Sequence, residues 1–496
     1  MRLVVVSNRV SLPSNDGVQA GGMTVGIEGA LRHSGGVWVG WSGRLRDDDK
    51  VLRRHESANG IDYMTLDLPA REHAGYYAGF ANQVLWPLFH GRHDLAAYDA
   101  EDYAHYLQVN ARFADELVRQ LRADDVVWVH DYHFVPMAHA LRGRGICNRI
   151  GFFLHTPFGA PGDLMRLPVR DDLAGFLEAY DLIGFQTQAD VHAFHGFMAA
   201  QSLVSERHPM RRANPPRSAA FPIGIDAPRF ATTAQGQIAD EKLRVAFDRL
   251  GQDALPIISV DRLDYSKGIP ERLRAMDAFM TRHPRMAALT GLIQVAPTSR
   301  SSIPAYQAEA ERVQQAHADL MTHHCATSRP AAQLITEPVD RRSIAAAYRR
   351  SRIGLVTPLR DGMNLVAKEF VAAQDAADPG VLILSRMAGA GEELEDGALM
   401  VDPSDTAEVA RALHQALAMK RGERQERWST MIETVRRNDV ANWSKGFLEA
   451  LTETEPSLEP VPRSAMAPIP LASRQDHAAH ILPSGSLAGY ARSGTG

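Results

Sequence analysis

Short, unbroken apolar runs rich in valine, isoleucine and phenylalanine recur along this chain, and they decide its architecture. They occupy Leu3–Ser7, Val126–His130, Ile150–His155 and Leu182–Gln186, then Ile257–Val260, Gly291–Ala296, Ile353–Thr357, Val381–Ser385 and Leu399–Val401. Apolarity that is continuous rather than alternating belongs to strands buried on both faces. Between these runs, helical spacing of apolar residues predicts helices over Tyr103–Leu121, Asp171–Tyr180, Pro270–His283, Ser343–Arg350 and Ala407–Met419. Strand, helix, strand repetition makes a parallel sheet with helical crossovers. A chain of 496 residues is too long for one ordinary core. The runs form two sets joined near residues 228–252. The expected fold is therefore α/β, with two Rossmann-like domains facing each other across a cleft. Their expected bounds are 1–235 and 236–452, the last helix being a candidate to cross back to the first domain. From about residue 453 proline, alanine, serine and glycine dominate, and 453–496 reads as a disordered tail.

Composition removes several function classes. A net charge of −5 gives no global basic field for nucleic acid, so any anion site must be local. No stretch approaches the roughly 20 apolar residues of a membrane helix, and the N-terminal apolar run is too short for a secretion signal. The expected location is the cytoplasm. The two cysteines, Cys147 and Cys325, follow no metal-ligand spacing. His130 and His133 lack a third ligand at an obvious spacing, so neither metal nor cofactor is expected.

Ligands of open parallel sheets sit beyond the C-terminal ends of the strands, which makes the residues there informative. The first run ends in Ser7-Asn8-Arg9, followed by Ala20-Gly21-Gly22, where paired glycines ahead of a helix allow close backbone approach to a phosphate or sugar. The spacing does not match a nicotinamide-binding fingerprint. Two aromatic loops follow, Gly40-Trp41-Ser42-Gly43 and Tyr76 to Pro87, the second holding Tyr77 and Trp86. These suit the flat faces of a sugar, and they equally suit core packing. His130-Asp131-Tyr132-His133 and His155-Thr156-Pro157-Phe158 place polar groups at two more strand ends. In Asp261-Arg262-Leu263-Asp264-Tyr265-Ser266-Lys267-Gly268, two cations precede a helix N-terminus, a place suited to a diphosphate leaving group and equally to surface salt bridges. Arg300 follows the next strand beside Thr298 and Ser299, apt for a phosphate monoester. Thr357 to Glu369 puts Asp361 at a strand mouth and a helix start near Asn364. Glu369 lies one turn beyond Leu365 on the same face, placed to accept ribose hydroxyls or to form a salt bridge.

Taken together, Val-Val-Ser-Asn-Arg, Gly-Trp-Ser-Gly, Val-Leu-Trp-Pro, Val-His-Asp-Tyr-His, Phe-Phe-Leu-His-Thr-Pro-Phe, Arg-Leu-Asp-Tyr-Ser-Lys-Gly, Ala-Pro-Thr-Ser-Arg and Leu-Arg-Asp-Gly-Met-Asn-Leu-Val-Ala-Lys-Glu resemble the trehalose-6-phosphate synthase family. These are retaining glycosyltransferases of the two-domain GT-B architecture, and the resemblance covers about residues 1–450. It implies transfer of glucose from a nucleotide-diphosphate sugar, UDP-glucose first among them, to glucose 6-phosphate. It implies that Arg9, Trp41, Tyr77, Trp86, Asp131 and Arg300 hold the acceptor, with Arg9 and Arg300 on its phosphate. The donor would lie against Gly21 and Gly22, its base read by main chain near Val339. Its remaining contacts would run along Met363, Asn364, Leu365, Val366, Ala367, Lys368 and Glu369. His155 and Asp361 would touch the transferred glucose, while Arg262 and Lys267 would bind the diphosphate. These four, His155, Arg262, Lys267 and Asp361, form the implied catalytic set. The resemblance also implies a homo-oligomer, dimer or tetramer, and a separate phosphatase acting on the product.

Two departures from the family pattern stand out, Thr156 in place of isoleucine and Met23-Thr24 after the paired glycines. Three other readings compete. Asp47-Asp48-Asp49 superficially fits a metal-dependent, single-domain glycosyltransferase, but it lies in a charged run with no apolar strand evident before it. A sugar-phosphate sensor that has lost catalysis should have replaced His155, Asp361, Arg262 or Lys267, and all four are present. A pseudo-glycosyltransferase joining cyclitol analogues is disfavoured by retention of the sugar-contacting set.

Overall fold

The computed structural model describes residues 2–10, 12, 22–204, 216–325 and 329–454. Gly21 and all but the first two residues of the predicted tail lie outside that range. The chain forms two sheets. The first contains β1 (Leu3–Arg9), β2 (Gly36–Arg46), β3 (Leu52–Ala58), β4 (Ile61–Pro69), β5 (Val126–His130), β6 (Arg149–Phe153), β7 (Leu182–Phe185) and β8 (Arg217–Ala220), ordered β3-β4-β2-β1-β5-β6-β7-β8. Every neighbouring pair is parallel except β3 with β4. The second contains β9 (Ile257–Val260), β10 (Leu292–Val295), β11 (Ala332–Ile335), β12 (Ile353–Val356), β13 (Val381–Ser385) and β14 (Leu399–Val401), ordered β11-β10-β9-β12-β13-β14 and wholly parallel. That order is doubly wound, and it reverses between β9 and β12. In the first sheet it reverses between β1 and β5.

The unbroken apolar runs are strands because they are covered on both faces: β5, β7, β12 and β13 have no exposed residue. Sequence reading missed β2, β3, β4, β8 and β11. The segment around Trp41 is therefore part of a strand and not a loop, and a strand does precede Asp47-Asp48-Asp49. That triplet is nonetheless exposed, with Asp48 paired to Arg46. No cluster of three metal-ligating side chains occurs among the described residues. Tyr76 to Pro87, read as a loop, is helical: a wide π-type turn, Ala74–Leu85, leads into Trp86–Phe89. Its Gly75 and Gly79 admit the helix Ala100–Val118 so closely that a Cβ would lie 2.4 Å from His105 and 2.2 Å from Asp102.

The chain crosses between the halves twice. It leaves the first sheet through residues 221–226 and returns through Asn438 and Asp439 into the helix Val440–Thr452. That helix packs on the first sheet, Phe447 reaching both Gly151 and Gly184. The two crossings touch: a Cβ on Gly224 would lie 2.0 Å from the carbonyl oxygen of Asn438. Among the described residues no helix is long and apolar enough to cross a membrane.

Candidate active site

At the mouth of the first sheet, Trp41, His73, Tyr77, His133, Tyr132, Trp86 and His90 form a continuous ladder of rings. Successive centroid separations are 4.3, 5.1, 5.6, 4.0, 5.6 and 4.1 Å. Tyr77 is thus held between two imidazoles, with interplanar angles of 22° and 9°. Burial lowers His73 and His90 to about 4 and pushes His133 well below the usual range, so all three rings are neutral at pH 7. Arg9 ends β1, its guanidinium 5.9 Å from the Trp41 ring. Gly43, at φ +85°, lets the Arg9 side chain lie against the bulge in β2.

Beyond β5, Asp131 turns the chain at φ 72°, and its carboxylate accepts a hydrogen bond from the His155 amide (3.2 Å). Burial raises this carboxyl to about 6, against the pull of two backbone amides, Arg300 and Arg262. His155 Nε2 lies 3.0 Å from His130 Nδ1, and burial lowers His155 to about 3. That contact gives the buried polar residue at position 130 a partner.

The second half brings the cations. Arg300 sits 4.0 Å from the Trp86 ring, and Arg262 lies 5.6 Å from the same ring. One indole from the first half is therefore faced by two guanidinium groups from the second, a favourable cation–π arrangement. Arg300 donates to Tyr132 OH (3.0 Å) and to Tyr306 OH, with Asp264 3.7 Å away. Lys267 closes a tight turn, Tyr265–Lys267, that Asp264 caps, and its Nζ donates to Asp361 Oδ2 at 2.5 Å. Burial opposes ionisation of Asp361, but Lys267 and Asn364 hold it below the usual carboxylate range. Asn364 has φ 74° and caps the helix Leu365–Ala373. Four non-glycine residues among those described have positive φ, namely Asn59, Asp131, Arg300 and Asn364. Three of them are in this cleft, where such strain persists only if the surroundings impose it.

The halves meet directly here. A Cβ on Gly362 would lie 2.3 Å from the carbonyl oxygen of His155, and Arg360 donates to Phe158 O (3.0 Å). His155, Trp86, Asp131, Arg262, Lys267, Arg300 and Asp361 therefore line one cleft, with Arg9, Trp41 and Tyr77 at its far edge. Other candidates are placed differently. Gly22 opens the helix Gly22–Ser34, which meets Val440 and Trp443 at Gly26. Met363 and Ala367 turn into the core, while Leu365, Val366 and Val339 are half-buried against it. Lys368 is wholly buried and bonds Ile223 O (2.8 Å) and Glu393. Glu369 pairs with Arg341 at 2.7 Å, the salt bridge that was one of its two readings. Thr156 is buried, with its hydroxyl unpartnered.

Sequence reading missed His73, His90, Asp264 and Arg272. Asp264 accepts from Ser266 N (3.0 Å), Ser266 Oγ (2.9 Å) and Tyr306 OH (3.1 Å). Arg272, without exposed side-chain surface, bonds Asp261 behind it. A charged residue at a position where helical spacing calls for an apolar one was the available signal for Arg272.

Known proteins share this fold. The model of glycosyltransferase family 20 matches residues 4–453. The trehalose-6-phosphate synthase of Klebsiella pneumoniae subsp. pneumoniae is 43% identical over 461 residues, 92% of this chain and 96% of that protein. An E. coli relative solved with UDP-2-fluoro glucose is 40% identical with a TM-score of 0.86, over 92% of this chain and all (100%) of the other. The UDP-forming alpha,alpha-trehalose-phosphate synthase of Burkholderia xenovorans, solved with glucose-6-phosphate, is 39% identical with a TM-score of 0.85, over 91% and 100%. On a match that runs the length of both sheets, the chain belongs to glycosyltransferase family 20.

Proposed function

We propose that this chain is a trehalose-6-phosphate synthase that transfers glucose from UDP-glucose to glucose 6-phosphate with retention at the anomeric carbon. The observation that carries this reading is Trp86 of the first half under Arg300 and Arg262 of the second. It supports a cleft in which two phosphate-bearing substrates meet. The relatives bound with UDP-2-fluoro glucose and with glucose-6-phosphate support the same pair of substrates. Residues 1–235, joined by the returning last helix Val440–Thr452, form the acceptor half, and the rest of residues 236–452 the donor half.

Arg9 and Arg300 hold the acceptor phosphate, while Trp41, Tyr77 and Trp86 pack on the hexose and Asp131 accepts from its hydroxyls. Arg262 and Lys267 take the donor diphosphate, with the main chain from Met363 to Glu369 beside it. The bond from the glucosyl anomeric carbon to the diphosphate breaks as the bond to the acceptor hydroxyl forms on the same face. The acceptor's proton passes to the departing phosphate oxygen, so no carboxylate nucleophile is required. Preorganised cations stabilise the charge that develops on that phosphate, and closure of the halves excludes the water that would hydrolyse the donor. His155, neutral and with its two ring nitrogens engaged by His130 and Gln186, packs beside the transferred sugar.

A panel of nucleoside-diphosphate glucoses assayed with glucose 6-phosphate tests the reading, with the anomeric configuration of the product determined by NMR. UDP release should require both substrates. Arg262→Ala and Lys267→Ala should each cost about 3 kcal/mol or more in transition-state stabilisation. A near-normal rate in the double variant contradicts the mechanism.

A further inference from the structure

A single planar side chain braces the mouth of the second sheet from within. Arg272 lies in the first turns of the helix Ile269–Arg282, and its side chain has no exposed surface. Its Nε donates to Thr357 Oγ1 (3.0 Å), and its Nη1 donates to Asp261 Oδ2 (2.9 Å) and Gln294 Oε1 (2.8 Å). Its Nη2 donates to the carbonyl oxygen of Lys267 (3.1 Å). Asp261 follows β9, Gln294 lies within β10, and Thr357 follows β12. These are three consecutive strands of the sheet, including the pair between which the strand order reverses.

We propose that Arg272 is a positioning residue for the nucleotide-sugar half of the site. It fixes the turn that carries Lys267 against the ends of β9 and β12, and so sets where the ammonium meets the donor's diphosphate. This rests on the function proposed above. Three features point beyond a merely structural role. The four bonds fan out from three nitrogens in one plane, a geometry that the guanidinium has and a lysine ammonium lacks. A buried ion pair contributes little stability compared with apolar side chains of similar size, so folding alone does not call for Arg272 with Asp261. Finally, the turn is already fastened on its other sides. Gly268, at φ +64°, lies so close to Thr357 that a Cβ would be 2.8 Å from its carbonyl oxygen, and the Leu359 amide donates to Ser266 O at 2.8 Å. Arg272 adds a brace directly at the residue whose side chain enters the cleft.

The test uses the full chain. Arg272→Lys keeps the charge and removes the fork. Arg272→Met combined with Asp261→Asn removes the pair together, leaving no uncompensated charge. Thermal melting reports folding, calorimetry with UDP reports the donor half, and KM for glucose 6-phosphate reports the acceptor half. In a folded variant, kcat/KM for UDP-glucose should fall by about tenfold to a hundredfold and UDP binding should weaken, with the acceptor KM within about twofold of wild type. Unchanged UDP affinity and donor KM in a folded variant overturn the proposal. So does equal loss on both substrates, or failure of both variants to fold, either of which makes Arg272 a residue of the core alone. Wild-type enzyme that releases no UDP from UDP-glucose and glucose 6-phosphate would instead strike the proposed function.

Discussion

Replacing Asp264 by asparagine probes the electrostatics of the cleft at its most enclosed carboxylate. Asp264 has no exposed surface and accepts hydrogen bonds from the turn that ends at Lys267 and from Tyr306. Burial alone would raise its pKa, but Arg300, Arg262 and Lys267 outweigh burial and hold it at about 2, against 3.8 for an exposed aspartate. At about 1.4 kcal/mol per unit, that depression is worth roughly 2 kcal/mol of folding free energy. Because the folded value lies below the unfolded one, the contribution is whole above about pH 4 and drains away as the pH falls toward 2. Asparagine keeps the shape and one acceptor oxygen but leaves three cations without the charge they share. The variant should therefore be less stable by roughly 2 kcal/mol at pH 7, and the gap should narrow to about half of that at pH 3. Urea unfolding of both proteins at the two pH values measures it. A gap below about 0.5 kcal/mol at pH 7, or one that does not change with pH, would refute the reasoning.

Two further expectations concern the cleft. Asp131 is raised to about 6 chiefly by burial, so its ionised form destabilises the fold at pH 7, and stability should increase as the pH falls from about 6 toward 3.8. Asp131→Asn should consequently melt higher than wild type at pH 7, keep roughly half of that advantage at pH 5 and lose it below about pH 4, and be strongly impaired with glucose 6-phosphate; melting curves at the three pH values, with acceptor kinetics, check it. Gly362→Ala would set a methyl group 2.3 Å from the His155 carbonyl oxygen. It should keep a native circular dichroism spectrum yet lose at least about tenfold in turnover by holding the halves apart; an unaltered kcat would show that this contact is not needed for reaction.

The parts of the fold legible in the sequence are those buried on both sides. β5, β9, β12, β13 and β14 coincide with apolar runs because each has helices or strands over both faces. β4 escaped notice because Asp62, Thr65 and Asp67 interrupt its apolarity; buried Asp67 is partnered by Ser42 on β2 and by Arg54 on the edge strand β3, an antiparallel neighbour invisible along the chain. The cleft cations were readable because strand mouths collect ligand-binding groups, and Arg262, Lys267 and Arg300 each follow a strand. The imidazole sandwich around Tyr77 was not readable: His73 and His133 lie on different elements, and only the wide turn after His73 brings them to one phenol ring. The Glu369–Arg341 pair likewise depends on two helices packing side by side, which no local pattern encodes.

The contact between Gly224 and Asn438 has a mechanical consequence. Two chain segments join the halves, and they run against each other along one line on the same flank of the molecule. Lys368 and Glu393 lash the pair together, Lys368 to Ile223 beside one segment and Glu393 to Asn438 in the other. A body tethered at two separated points resists rotation, whereas tethers laid side by side act as a single door hinge. The easy motion is then a swing about that flank, which moves the opposite lip of the cleft farthest and leaves the axis almost still. Any side chain larger than glycine at 224 would wedge the pin of that hinge.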